Sequence, residues 1–163
     1  MIILGIDPGI AIVGWGVIDF TGNKMKPIGF GAITTPAHTP ITSRLKSIYD
    51  ELVKIIDTYK PEAMAVEELF FNTNVKTAIT VAHARGIVLL CASQKGIPDF
   101  EYTPLQVKQA LTGYGRADKA QMQSMVKIML GLNAVPKPDD VADALAIAIC
   151  HAHSHNLSAK GYI

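Results

Sequence analysis

Cysteine is nearly absent from this sequence. The two copies, Cys91 and Cys150, stand in no metal-binding spacing. That excludes a disulfide framework or thiolate zinc site and suits a reduced, cytoplasmic setting. Neither sign of charge is in excess, since the formal net charge is +1. A nucleic-acid partner would therefore have to be met by a local cluster of bases, not by overall charge. Long apolar runs are missing as well. The longest, ALAIAIC around residue 147, is too short to span a bilayer, and residues 1–6 lack the charged leader of a signal peptide, so no membrane role is expected. Repeats, low-complexity tracts and linkers are also wanting. What is left is a chain of 163 residues, 49% apolar and 18% charged, which reads as one globular domain with a single core.

Residues 2–6 and 12–19 are rich in β-branched and apolar side chains and flank DPGIA, which predicts a hairpin. A third strand is expected over 26–34. In ITSRLKSIYDELVKIIDTYKP, residues Leu45, Ile48, Tyr49, Leu52, Ile55 and Ile56 recur at helical spacing, and the helix should stop before Pro61. AMAVEEL predicts a strand, residues 73–95 a long helix closed by Gly96, and DFEYT a short strand. Helices are expected in PLQVKQALTG, RADKAQMQSMVKIMLGL and PDDVADALAIAICHAHSH. Three early strands followed by alternating helices and strands imply a mixed α/β sheet covered on both faces.

In such sheets ligands collect at the carboxyl ends of parallel strands. Asp7 lies at one predicted strand end, and Glu67 and Glu68 lie at another. Asp140 and Asp143 are one helical turn apart in the last helix. Asp139 and Asp140 suit a helix first turn, where acids complement the dipole. Asp143 sits among Val141, Ala142, Ala144, Leu145 and Ile147, and an unpaired charge there would be costly. Lys108, Arg116 or Lys119 would serve as an ion-pair partner. Oxygen-only ligands would equally suit Mg²⁺ or Mn²⁺. The pattern by itself leaves both readings open.

Four separated stretches narrow the choice. LGIDPG with GWGVI, AVEELFF, QVKQALTG with RADKAQMQSMV, and PDDVADALAIAICHAH together resemble the RuvC family of bacterial Holliday-junction resolvases. The resemblance covers residues 1–155 and leaves 156–163 as a tail. It implies a ribonuclease H-like fold with a five-stranded mixed sheet whose first three strands are antiparallel. It also implies a structure-selective endonuclease that makes paired nicks in four-way DNA, leaving 5′-phosphate and 3′-hydroxyl ends, in recombination and repair.

By position, the family's metal-binding carboxylates fall on Asp7, Glu67, Asp140 and Asp143, holding two Mg²⁺ per subunit, with Mn²⁺ as a substitute. Glu68 and Asp139 are then bystanders. Lys108 and Lys119 match positions that contact DNA phosphate near the scissile bond, with Lys119 placed in the catalytic group. Arg116 and Lys76 would extend the basic track, and Phe70 matches an aromatic residue that stacks on bases near the junction centre; of Phe70 and Phe71, one can be core while the other is exposed, and the sequence leaves open which. The family also implies a homodimer, built on a second apolar face of the long helix around Ile79, Ala82 and Ile87. The branch-migration proteins RuvA and RuvB are its expected partners. His151, His153 and His155 are expected near a helix C-terminus, where the dipole favours them, and not as zinc ligands. His83 is expected to be packed or at the interface.

Overall fold

The computed structural model describes residues 1–68 and 75–159, with side chains as far as His155. Five strands form one sheet: β1 (Ile2–Asp7), β2 (Ile12–Thr21), β3 (Lys24–Thr34), β4 (Ala63–Glu67) and β5 (Asp99–Tyr102). Their spatial order is β3-β2-β1-β4-β5. β1 is central, antiparallel to β2 and parallel to β4; β2–β3 is antiparallel and β4–β5 parallel. This is the mixed sheet that the strand order predicts.

Among the described residues the helices are α1 (Ile41–Tyr59), α2 (Val75–Lys95), α3 (Pro104–Thr112), α4 (Lys119–Met129) and α5 (Asp139–Ala159). Strand periodicity sorts the core into two layers. Leu4, Ile6, Val13, Val17, Met64 and Val66 pack with Ile48, Leu52 and Ile56 of α1 and Val88 of α2. Ile3, Ile18 and Ala65 face the other way, toward Leu145 and Ile149 of α5, with α3 and α4 around them.

The α5 layer is unusually close. A Cβ on Gly5 would fall 2.1 Å from the Ala144 carbonyl oxygen, and one on Gly14 only 1.9 Å from that of Asp140. One on Gly16 would meet the Leu145 side chain at 2.4 Å. Gly5 and Gly16 are register partners, as are Asp7 and Gly14. The three glycines thus form a bare strip across β1 and β2, and α5 lies directly on their backbone. Ala144 and Ala148 keep the helix side of that contact equally slim.

Two helices differ from expectation for readable reasons. α4 starts at Lys119, not near Arg116, because Asp118 closes a reciprocal capping box with Gln121. α5 continues to Ala159, past the expected boundary at 155. His151 is therefore two turns inside the helix instead of at its end. It is buried, its Nδ1 lies 2.8 Å from the Tyr102 hydroxyl, and its ring stacks against Phe100. Burial, helped by His155, pushes its pKa down to about 4. The dipole explanation for His151 is thereby corrected: it is a neutral core residue. His83, in contrast, is exposed on α2.

By length and composition α2 is apolar enough to cross a membrane, which the count of uninterrupted apolar runs did not reveal. In this fold Ala84, Val88, Cys91 and Ala92 are its buried side.

Candidate active site

Period-two alternation decides which acids meet. Along β1, Ile3, Gly5 and Asp7 share the face that α5 covers; along β4, Ala65 and Glu67 share it too. Ile6 pairs with Val66, so Asp7 and Glu67 come next, side by side at the carboxyl ends of adjacent parallel strands. α5 adds Asp140 and Asp143 from its first two turns, and its height above the sheet is fixed by the glycine strip. Glu68 is exposed beyond the strand end, with its amide bonded to the Tyr102 carbonyl.

The electrostatics report how tightly these groups are gathered. Burial, followed by the charges of Glu67, Asp143 and Asp140, raises the pKa of Asp7 to about 7. Burial and then Asp143 raise that of Glu67. Asp143 is also raised, mainly by burial, with Lys119 pulling against it. The cation that Asp143 requires is thus Lys119, whose Nζ lies 3.4 Å from both Asp143 and Asp139. Burial disfavours the Lys119 charge, but Asp143 and Asp139 outweigh it and raise its pKa. Asp139 is turned outward to Lys137 at 2.7 Å, and its pKa is lowered by the hydrogen bonds from Lys137 and Lys119.

A cavity of about 280 Å³ opens beside these acids. Glu67, Asp143, Lys108, Asp118 and Lys119 are on its walls, and Val107, Met122 and Ile147 are among its apolar residues. Lys108 and Lys119 therefore flank the acids from α3 and α4. Arg116 is exposed in the α3–α4 loop, outside the cavity lining, and Lys76 is exposed in the first turn of α2. Phe70 and Phe71 lie outside the described residues.

Would this set hold a cation? Its donors are carboxylate oxygens, the hard ligands of Mg²⁺ and Mn²⁺. Asp7 and Glu67 have their charged forms disfavoured by each other or by Asp143, which a divalent cation would reverse. Among the described residues, however, no three side chains stand close enough to hold one ion as they lie. The chemistry and net charge fit a divalent cation, while the spacing is that of electrostatic neighbours instead of a closed coordination shell.

The sequence profile described as Crossover junction endodeoxyribonuclease RuvC matches residues 3–151. The chain belongs to the RuvC family. Its RuvC relative from Alkaliphilus oremlandii is 61% identical, over 97% of this chain and 96% of the relative. RuvC of Clostridioides difficile is also 61% identical, over 96% and 93%. The structure of Thermus thermophilus RuvC superposes with a TM-score of 0.90 at 38% identity, covering 97% of both chains. The same protein in complex with a Holliday junction substrate gives 0.93 at 39%, covering 97% of this chain and 96% of that one. A yeast mitochondrial Holliday junction resolvase, Ydc2, shares the fold at 15% identity and a TM-score of 0.62, over 99% of this chain and 86% of its own. The sheet and helices are therefore those of RuvC and its ribonuclease H-like relatives, and the chain is a nuclease of a family implied to depend on divalent metal.

Two contributors to the site escaped the sequence reading. One is the glycine strip, whose sign was the period-two spacing of Gly14 and Gly16 in β2 opposite Gly5 in β1. The other is the support that Thr35 and Arg44 give to the turn after Asp7.

Proposed function

We propose that this protein resolves four-way DNA junctions by hydrolysing one phosphodiester in each of two symmetric strands, acting as a homodimer. The observation that carries the reading is the gathering of Asp7, Glu67, Asp140 and Asp143 at one end of the sheet, with a cavity onto which Glu67, Asp143, Lys108 and Lys119 open.

Hydrolysis of a phosphodiester must bring water to an anionic centre and release a poor alkoxide. Two Mg²⁺, or Mn²⁺ in their place, held by Asp7, Glu67, Asp140 and Asp143 would lower the pKa of water and stabilise the departing 3′ oxygen. The chain's own part is to aim the carboxylates and position the phosphate. Asp7, on the central strand, faces all the other acids and is the natural shared ligand. Lys119 and Lys108 approach from α4 and α3 and place positive charge where a phosphate anion would enter, with Arg116 and Lys76 farther out on the track. Phe70 is assigned to base stacking on the family resemblance. The dimer is supported by α2, where Val75 is 73% exposed, Ile79 50% and Leu90 46%. A twofold pair of sites suits a substrate with two equivalent strands. The same reading places the protein in the bacterial cytoplasm, in recombination and repair beside RuvA and RuvB.

Four-way DNA and an RNA–DNA hybrid, each incubated with Mg²⁺ and either wild type or Asp7→Asn, test the proposal. Wild type should place paired, ligatable nicks in the junction alone, and Asp7→Asn should bind the junction without cutting it. Cleavage of the hybrid, or an active Asp7→Asn, would overturn it.

A further inference from the structure

The main chain leaves the sheet immediately after Asp7, in the turn Pro8–Ala11, before β2 begins at Ile12. The turn is tight. A Cβ on Gly9 would lie 2.3 Å from the Ile12 carbonyl oxygen. Donors for the turn's carbonyls come from elsewhere in the chain. Thr35, just past β3, donates its amide to the Ala11 carbonyl at 3.0 Å and its hydroxyl to the Ile10 carbonyl at 2.5 Å. Arg44, in the first turn of α1, donates Nε to the Thr35 hydroxyl oxygen at 2.8 Å. Its Nη2 makes a longer 3.4 Å contact to the Ile10 carbonyl.

Thr35 is only 7% exposed. Its hydroxyl is used in both senses, accepting from Arg44 while donating to Ile10, so neither neighbour can shift without leaving a polar group unsatisfied. The partners of the Arg44 guanidinium in these bonds are a hydroxyl and a carbonyl. Both belong to the turn that follows Asp7 or to the residue that supports it. We propose that Thr35 and Arg44 are positioning residues: they clamp the turn behind Asp7 and so hold its carboxylate against the repulsion of Glu67, Asp140 and Asp143.

Repulsion among these carboxylates gives the clamp its work. It acts through the backbone of residues 10 and 11 and touches neither phosphate nor metal. Loss of the clamp should therefore weaken cation binding and slow the cutting of bound junction, with junction affinity preserved. The inference rests on the reading of Asp7 as a metal ligand.

Thr35→Val removes the hydroxyl at constant shape, Thr35→Ser retains it, and Arg44→Ala removes the second donor. Mn²⁺ binding, followed by electron paramagnetic resonance without DNA, separates the clamp from catalysis. Thr35→Val should weaken Mn²⁺ binding at least five-fold and slow single-turnover cleavage at saturating junction at least ten-fold, with the junction dissociation constant unchanged. Thr35→Ser should restore both, and Arg44→Ala should follow Thr35→Val more weakly. Wild-type Mn²⁺ affinity in Thr35→Val and Arg44→Ala, with Asp7→Asn failing to bind, would overturn the clamp alone. Equal Mn²⁺ binding by wild type and Asp7→Asn would overturn the metal reading and the clamp with it. Weaker junction binding by Arg44→Ala with a shallower salt dependence would make Arg44 a phosphate contact instead. Should Thr35→Val fail to fold, Arg44→Ala with Thr35→Ser decides the matter.

Discussion

The two faces of the sheet are packed by opposite means. On the α1–α2 side, Leu4, Ile6, Val13 and Val17 meet Ile48, Leu52, Ile56 and Val88 through whole side chains. On the α5 side, Gly5 and Gly14 bring helix backbone onto strand backbone, and Gly16 makes room for the Leu145 side chain. Interlocked aliphatic side chains tolerate a methyl more or less, at a modest cost. Backbone contact has nothing to repack. The acids belong to the second face, where position is fixed most closely, while α2, on the first face, leaves Val75, Ile79 and Leu90 exposed.

The largest effect expected from this contrast is catalytic. Glu67→Gln should lose at least about a thousand-fold in junction cutting, while Glu68→Gln, beyond the strand and away from the α5 face, should cut at the wild-type rate. Nicking assays on one junction with both variants check this; a normal Glu67→Gln would put the acid face out of register by one residue.

Next in size is the cost of changing one small side chain on each face, one carbon gained at Gly5 and two lost at Val88. Gly5→Ala sets a Cβ 2.1 Å from the Ala144 carbonyl and should destabilise by at least about 3 kcal/mol, displacing α5 and its acids. Val88→Ala, at a fully buried site on the other face, should cost about 2 kcal/mol and leave cutting of the remaining folded protein unchanged. Urea melts with activity measured on the folded fraction distinguish them. Equal costs would erase the distinction between the faces.

A third expectation follows from the Asp7 pKa of about 7. Because this value lies above that of the unfolded chain, ionising Asp7 opposes folding. The penalty is absent below about pH 4, grows as pH rises, and is complete above about pH 7. In metal-free buffer Asp7→Asn should therefore match wild type at pH 4 and exceed it by up to roughly 4 kcal/mol at pH 8. Millimolar Mg²⁺ should narrow the gap by binding wild type. A difference that does not vary with pH would mean that neither burial nor the neighbouring acids disfavour the Asp7 charge.

The smallest change in monomer stability is expected on the outer side of α2. Ala82→Asp should leave circular dichroism intact but give a monomer on sedimentation, through an unpaired charge meeting its symmetry mate. Nicks should then cease to be paired. Loss of folding would place Ala82 in the core of its own subunit.

Much of this was legible in the sequence because the determining signals are local. β-branched runs mark β1 and β2, helical spacing marks α1, and acids at strand ends mark Asp7 and the pair Glu67 and Glu68. Alternation puts that pair on opposite faces, and the family resemblance chooses Glu67. Legibility failed where the cause is distant. Nothing near His151 announces that Tyr102, some fifty residues earlier in the chain, supplies its hydrogen bond. Thr35 and Arg44 look like an ordinary strand-end threonine and helix-surface arginine until the hairpin brings them to Ile10. The glycines were visible, but only the pairing of Gly5 with Gly16 and of Asp7 with Gly14 turns them into a strip.

That strip also makes a statement about mutation. At most sites a protein tolerates some alternatives, graded by size and polarity. Under α5 the grading disappears, because the smallest side chain already collides with a carbonyl oxygen. A saturation scan scored for junction cutting should show Gly5 and Gly14 as all-or-none positions, as unforgiving as the clustered carboxylates. Neither glycine has a side chain with which to touch DNA or a cation. Intolerance to substitution would then trace the line along which the helix rests, and would mark a bearing surface where a reader of such a map would expect a second active site.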